Sequence, residues 1–344
     1  MFNTTNMIRP ESIKGCDDEG NFYDSHAELL DFQSQQRDVF YAANQLWWEQ
    51  GGYGGKTDDE AMIGDEGGEK DGDEGLLFLD RLLDHVEHQY HNANNSNSNN
   101  ASIFSTKSKA KSRASAGGGS VTTSTTISSS RTRRILAIDA GAGVGRVTKQ
   151  VLLKRFENVR LVEANPSWSK RSRVYLGRKR ASRCHFTCAK LQDIGPRDFE
   201  RWGVGCTGGS AVGGKGRDGG TRSTTTQKGG RGRGGSSSSS GGGVDLIWLQ
   251  WTLQYMTDID VIHTLKTLAA GLAAETGYLV IKENRPFGTA RTDRFQLETP
   301  AQSGRYDITR PDAHHRLLFH KAGLQVVMTE HGDETNTYAL SLAY

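Results

Sequence analysis

"IDAGAGVGRVTK" (Ile138–Lys149) decides how the rest of the chain is read. An apolar run, RILAID (134–139), ends in an acid, Asp139. Gly141, Gly143 and Gly145 then alternate, and a helical pattern over 145–156 follows. Alternating glycines allow a tight turn and close approach of backbone to a ligand. A dinucleotide fingerprint spaces its glycines G-x-G-x-x-G. The spacing here is G-x-G-x-G, which argues against NAD. Glu163 ends the next apolar run, VRLVEA (159–164). An acid after the second strand is placed to accept from both hydroxyls of a ribose.

Working outward, apolar runs and helical patterns alternate. Strands are expected at 134–139, 159–164, 183–191, 244–251 and 277–284. Helices are expected at 145–156, 166–178, 258–274 and 311–322. Runs at 324–332 and 337–344 read as a late antiparallel pair. Alternation of this kind predicts an α/β fold with a doubly wound, mostly parallel sheet and an antiparallel last strand. In such sheets ligands bind beyond the carboxyl ends of the strands, at the switch in strand order. Upstream, residues 22–49 and 75–91 read as amphipathic helices, an N-terminal extension. "GGYG" (51–54) lies between them.

Of 344 residues only 35% are hydrophobic, and many of the 42 glycines fall in a few tracts. Residues 1–21 read as disordered. Residues 22–344 read as one domain, interrupted at about 92–130 and 205–243 by low-complexity insertions that cannot bury enough apolar surface to order themselves. The acidic stretch 58–74 reads as a solvated loop. The net charge of +3 gives no global signature of a nucleic-acid binder. "GGRGRGG" (229–235) is the one segment suited to RNA, and its composition is that of a flexible insertion. No apolar run approaches the length of a membrane span, and the N-terminus carries no secretory h-region. Cys16, Cys184, Cys188 and Cys206 show no disulfide or zinc spacing. Cys184 and Cys188 read as one face of a buried strand. A monomer in the cytoplasm or nucleus is the expectation. No metal is expected. His85, His88 and His91 are placed at a helix C-terminus, where they favour the dipole. His314 and His315 are placed on a helix, one of them outward.

Gln192 and Asp193 follow the third strand, and WLQW (248–251) ends the fourth. IKEN (281–284) ends the fifth, and ITR (308–310) precedes the last helix. Together with the glycine loop, Glu163 and GGYG, this order resembles the protein α-N-terminal methyltransferases. That family is class I, dependent on S-adenosylmethionine, and acts on Xaa-Pro-Lys N-termini. The resemblance covers about residues 22–91, 133–200 and 244–344.

It implies that Gly141, Gly143 and Arg146 hold the methionyl end of the cofactor and Glu163 its ribose. It places Leu191, Gln192 and Gln250 on the adenine and methionine pocket. Trp251 would pack on the proline of the substrate, with Trp47 or Trp48 beside the peptide. Asn284 would orient the α-amine; the family's acidic run after the fifth strand is poorly matched here, and Asp307, the nearest carboxylate, is the candidate proton acceptor or its electrostatic support. Tyr255 stands where the family has a histidine. Asp258, Asp293, Asp307 and the acidic loop are candidates to meet a substrate lysine. The partners implied are proteins or peptides. Two other functions compete: a methyltransferase of small molecules, and a catalytically weak binding protein of the same fold.

Overall fold

The computed structural model describes residues 9–54, 57–58, 60, 68–101, 136–204, 243–286 and 293–343, and of residues 90–101 the backbone alone. Chain order begins with β1 (Gly15–Asp17), β2 (Phe22–Tyr23), α1 (His26–Glu49) and α2 (Gly68–Ala101). Next come β3 (Leu136–Ala140), α3 (Arg146–Gln150), β4 (Asn158–Glu163), α4 (Pro166–Ala181), β5 (Cys184–Cys188) and α5 (Pro196–Arg201). The remainder is β6 (Leu246–Gln250), α6 (Asp258–Ala270), β7 (Tyr278–Asn284), β8 (Phe295–Glu298), α7 (Pro300–Ser303), β9 (Asp307–Thr309), α8 (Asp312–Lys321), β10 (Leu324–His331) and β11 (Thr335–Leu342).

The main sheet runs β10-β11-β7-β6-β3-β4-β5. Only β11 opposes its neighbours; β3, β4, β5, β6 and β7 are mutually parallel. From β3 the chain steps outward to β4 and β5, then returns to lay β6 and β7 on the other side. The order therefore reverses between β3 and β6. Period-two alternation splits the strands between two apolar layers. Ile138, Ile247, Leu249 and Leu279 face one layer with Phe199, Leu265 and Leu318. Ala137, Leu246, Trp248 and Val280 face the other with Phe78, Leu82 and Leu152. The expected doubly wound α/β fold is present.

A second sheet, β2-β1-β8-β9, was not legible as strands. Its strands have two to four residues, too short for periodicity. With α1 it encloses a small core of its own, including Ile13, Leu29, Phe40, Phe295 and Ile308. Ile13 is buried, so residues 9–21 are part of the fold and not the disordered tail expected of them. Ser25 caps α1 by accepting from Glu28 N at 3.3 Å, which sets the helix start at His26, four residues beyond an exposed Phe22.

Four further expectations are corrected. Residues 68–74 are the first turns of α2, not loop. That helix runs on to Ala101, so His85 and His88 lie mid-helix, where His88 Nδ1 contacts Asp84 O at 2.7 Å. The rest of the first insertion, and residues 205–242 of the second, lie outside the described residues, as does Cys206. β5 is an edge strand, so Cys188 is exposed and Cys184 half-buried. Both His314 and His315 are buried. Among the described residues no helix is long and apolar enough to cross a membrane.

Candidate active site

The carboxyl ends of β3, β4 and β6 open into a cavity of about 440 Å³. It lies where the strand order reverses. The glycine loop forms its floor. Gly141 and Gly145 hold φ of 78° and 86°, which glycine adopts without strain. A Cβ on Gly141 would lie 2.4 Å from Thr252 Oγ1, so the loop is pressed against the turn after β6. Asp139 anchors the loop from behind, accepting from Thr148 N at 3.0 Å and Thr148 Oγ1 at 2.6 Å. Burial pushes its carboxyl up to about 6.

Glu163 closes the β4 side. Its Oε2 accepts from Gly143 N at 2.8 Å and its Oε1 from Asn165 N at 2.7 Å. Desolvation raises its pKa, and these backbone donors oppose the rise. Arg146 and Gln250 stand at the other end of the cavity. Arg146 pairs with Asp71 and stacks its guanidinium 5.0 Å from the Trp251 ring centroid. Asp71 also takes Lys282 Nζ at 2.6 Å and Gln250 Nε2 at 2.8 Å. Asp71 comes from the acidic stretch expected to be solvated. Composition hid it, because a short helical turn among glycines carries no periodic signal.

Trp251 has φ of 50°, the one non-glycine residue with positive φ among the described residues. A bulky residue there is strained. Its indole Nε1 is buried without a partner and it lines the cavity. Helix α1 forms the roof. Tyr41, Asn44 and Trp48 project from it into the cavity wall, and the Trp48 carbonyl accepts from Trp168 Nε1 at 3.2 Å.

Of the residues singled out in the sequence, Gly141, Gly143, Arg146, Glu163, Leu191, Gln192, Gln250, Trp251, Trp48 and Tyr255 all line this one cavity. Trp47, Asn284 and Asp307 do not. Trp47 and Asp307 lie behind Tyr255, and Asn284 lies at the end of β7. Trp47 stacks edge-on with Tyr53 at 4.9 Å, and Tyr53 OH lies 3.4 Å from Tyr255 OH. Arg305, unread in the sequence, covers Trp47 at 4.7 Å and Tyr53 at 5.3 Å. Its Nη2 bridges Glu298 at 2.9 Å and Asp307 at 3.3 Å. Asp307 Oδ1 is buried with no partner. Burial pushes the Asp307 carboxyl up to about 7, against the pull of Arg305. Asn284 donates through Nδ2 to Gln254 Oε1 at 3.2 Å. Beside it, Glu283 holds the turn after β6, accepting from Thr252 N and Leu253 N at 2.8 Å each.

The acids proposed to meet a substrate lysine are mostly elsewhere. Asp293 is exposed on the surface. Asp258 is fully buried and holds the N-terminal elements to the main fold. It receives Arg310 Nη2 at 2.7 Å, His314 Nε2 at 2.6 Å and His26 Nε2 at 2.7 Å. Three potential metal ligands lie within 4.8 Å of one another there. Arg310 already supplies the cation, so this is a structural ion-pair network.

A family model described as AdoMet dependent proline di-methyltransferase matches residues 121–205 and 238–338, more than half of the chain. The chain belongs to this family. Its cofactor is S-adenosylmethionine. An N-terminal Xaa-Pro-Lys N-methyltransferase 1 from Danio rerio is 28% identical over 148 residues, 43% of this chain and 47% of the relative. An α-N-terminal protein methyltransferase 1 from Drosophila melanogaster is 27% identical over 192 residues, 56% of this chain and 51% of the relative. The chain thus spans about half the length of the curated relatives it matches. A SAM-dependent methyltransferase of Leishmania major shares the fold, with a TM-score of 0.54 at 18% identity, covering 98% of this chain and 100% of that one.

The cavity fits S-adenosylmethionine in this proline di-methyltransferase family member. With the cofactor bound there, Glu163 would accept from a pair of ribose hydroxyls, Arg146 would meet an α-carboxylate, and Ala142, Leu191 and Met256, which line the cavity, would wall an adenine. The bare backbone of Gly141 and Gly143 leaves room between these ends.

Proposed function

We propose that this chain transfers methyl groups to the α-amine of protein N-termini of the Xaa-Pro-Lys type. The observation that carries the reading is the wall shared by cofactor cavity and aromatic layer. Trp251 and Tyr255 line the cavity, and Tyr255 touches Tyr53 and, through it, the Arg305–Asp307 pair. A peptide end laid against the packed rings of Trp48 and Tyr255 meets an apolar face for proline, with a buried carboxylate behind it. The occupants are then protein or peptide ends. The protein acts as a monomer, since its own α1 closes the cavity, and in the cytoplasm or nucleus, where unpaired cysteines such as Cys16, Cys184 and Cys188 persist.

When bound, S-adenosylmethionine supplies a methyl group activated by a positive sulfonium. The chain must deliver a neutral amine. With an unperturbed pKa of about 7.7–8.0, roughly a tenth to a fifth of an α-amine is neutral at pH 7. Asp307 Oδ1, unpartnered and near neutrality in its titration, takes the proton. Asn284 has its amide nitrogen engaged by Gln254, so its oxygen is the end that accepts an amine N–H and aims the lone pair. Tyr255 is held well above its ordinary pKa by burial and by Asp307. It therefore stays a neutral phenol that donates a hydrogen bond and does no base work. Trp251 Nε1 is a donor for a peptide carbonyl.

Mass spectrometry of a Ser-Pro-Lys peptide incubated with the protein and S-adenosylmethionine tests the reading. Methyl groups are expected on the α-nitrogen. Methylation only of the lysine side chain, or of small phenols and amines in preference to the peptide, would overturn it.

A further inference from the structure

The nearly balanced net charge conceals a segregated one. Between Glu163 and Asp193 the sequence contains eight lysines and arginines and no acid. Six of them lie on α4: Lys170, Arg171, Arg173, Arg178, Lys179 and Arg180, all exposed. Only Arg171 is ion-paired among the described residues, to Asp58.

Two structural reasons for such a helix fail here. The first is the helix dipole, which favours cations in the last turn. Lys170, Arg171 and Arg173 lie in the N-terminal half, where the dipole gives them nothing. Arg178, Lys179 and Arg180 lie beyond Gly177, whose φ of 70° and ψ of 158° break the helix. The second is intrahelical pairing with acids at i+3 or i+4. No acid is present on α4 to pair with.

Apart from Arg171, these cations have no acidic partner among the described residues. From Lys170 to Leu176 the helix rises ~9 Å at 1.5 Å per residue, and Arg178, Lys179 and Arg180 follow beyond the Gly177 break. A duplex presents about one charge per 1.7 Å over that length. Arginine predominates, as suits bidentate contact with phosphate oxygens. One large apolar side chain, Val174, is exposed on the face. That is too little for insertion into a bilayer, which needs an apolar stripe. The row begins at the cavity: Arg171 covers the Trp168 ring at 4.4 Å, and Trp168 lines the cavity wall.

We infer that the exposed face of α4 docks the phosphate backbone of a nucleic acid beside the mouth of the active site. Binding is sequence-independent and steeply salt-dependent, because it releases counterions rather than reading bases. It would hold the enzyme on nucleic acid while leaving the cavity open to a peptide end.

The test uses the full chain, with fluorescence anisotropy on a labelled random-sequence duplex DNA and a single-stranded RNA, each of about 20 nucleotides. A variant with Lys170, Arg173, Arg178, Lys179 and Arg180 each changed to Gln should bind the tighter of the two about tenfold or more weakly. On the duplex its log–log salt slope should flatten by roughly four to five, at ~0.9 for each phosphate no longer neutralised. Its melting temperature and cofactor affinity should match the wild type. Should the five-site variant fail to fold, Arg178→Gln, Lys179→Gln and Arg180→Gln alone, past the Gly177 break, should flatten the slope by about two to three. Whichever nucleic acid binds more tightly names the source of the phosphates. Unchanged affinity and slope in the folded variant would overturn the inference. So would no binding by the wild type at about 100 mM salt, or binding to polyglutamate or to phosphatidylserine vesicles as tight as to either nucleic acid.

Discussion

Lys282 Nζ lies 2.6 Å from Asp71 Oδ1, tying the end of β7 to the first turns of α2. The same carboxylate takes Arg146, the cation proposed for the cofactor's carboxylate. Burial alone pushes Asp71 up, but Arg146 and Lys282 outweigh it and leave its pKa lowered. It is therefore ionised at neutral pH and aims Arg146 into the cavity. Asp71→Asn leaves two buried cations sharing no counter-charge. Breaking a buried pair of this kind costs about 3–5 kcal/mol, with the outer Glu74 at 3.3 Å from Lys282 offsetting part of it. Calorimetry should show a weakened S-adenosylmethionine affinity beyond what the drop in melting temperature explains. Asp71→Glu should recover part of both. Unchanged cofactor affinity in a folded Asp71→Asn protein would remove the positioning role.

The glycine loop gives a second, steric prediction. Gly141→Ala places a Cβ 2.4 Å from Thr252 Oγ1 at a φ of 78°. Overpacking of this kind costs about 1–3 kcal/mol. The variant should melt lower and bind cofactor weakly. Adding Thr252→Ala should restore part of the loss, because it removes Oγ1 and Cγ2, and leave the share due to positive φ. No recovery in the double variant would assign the whole effect to backbone strain.

The sequence carried the main sheet well and the cap poorly, and the physical reason is length. Strands such as Leu246–Gln250 are uniformly buried, with alternate residues feeding opposite layers, and their apolar runs are continuous. Gly15–Asp17 and Asp307–Thr309 are three residues each and are defined by distant pairing. Residues on loops after parallel strands, from Gly141 to Gln250, were legible because the fold itself brings those loops together. Asp71 and Arg305 were not, because each reaches the site from a segment whose placement depends on tertiary contacts. Asp258 looked like a channel acid. Its three basic partners come from residues 26, 310 and 314, which no local pattern connects to it.

That network makes a stability prediction. Burial alone raises the Asp258 pKa, yet His314 and Arg310 outweigh it and hold the carboxyl well below its ordinary value. A depressed folded pKa gives stability that is present above the unfolded pKa of about 3.9 and is lost as pH falls below it. Asp258→Asn should cost about 3–5 kcal/mol at neutral pH, by leaving Arg310 buried and unpaired. Its melting temperature should fall less than the wild type's between about pH 5 and about pH 3. Turnover per folded molecule should survive at low temperature, and added zinc should stabilise neither protein. Zinc-dependent stabilisation of the wild type would mean that His26, Asp258 and His314 act as ligands.

The last prediction concerns the proton. If Asp307 accepts it, turnover should rise with pH through about 7, where burial has pushed this carboxyl, and level off above. The sign for stability is the same titration seen from the fold. A raised folded pKa favours the native state below the unfolded value of about 3.9, and this contribution is lost as pH climbs through about 7. Asp307→Asn should therefore remove the limb near pH 7 from the rate profile and cost about 10²–10⁴ in kcat at neutral pH. Part of that loss should return near pH 9, where the amine deprotonates in solution. Asn284→Ala should lower kcat at every pH, since aiming the lone pair is needed whatever its protonation history. Tyr255→Phe should cost about tenfold or less, because a phenol raised well above 10 donates one hydrogen bond and takes no proton. Tyr255→His should be tolerated, and its profile should gain a second ionisation near 6.5, the ordinary histidine value. A Tyr255→Phe variant dead at every pH beside a fully active Asp307→Asn would reverse these roles.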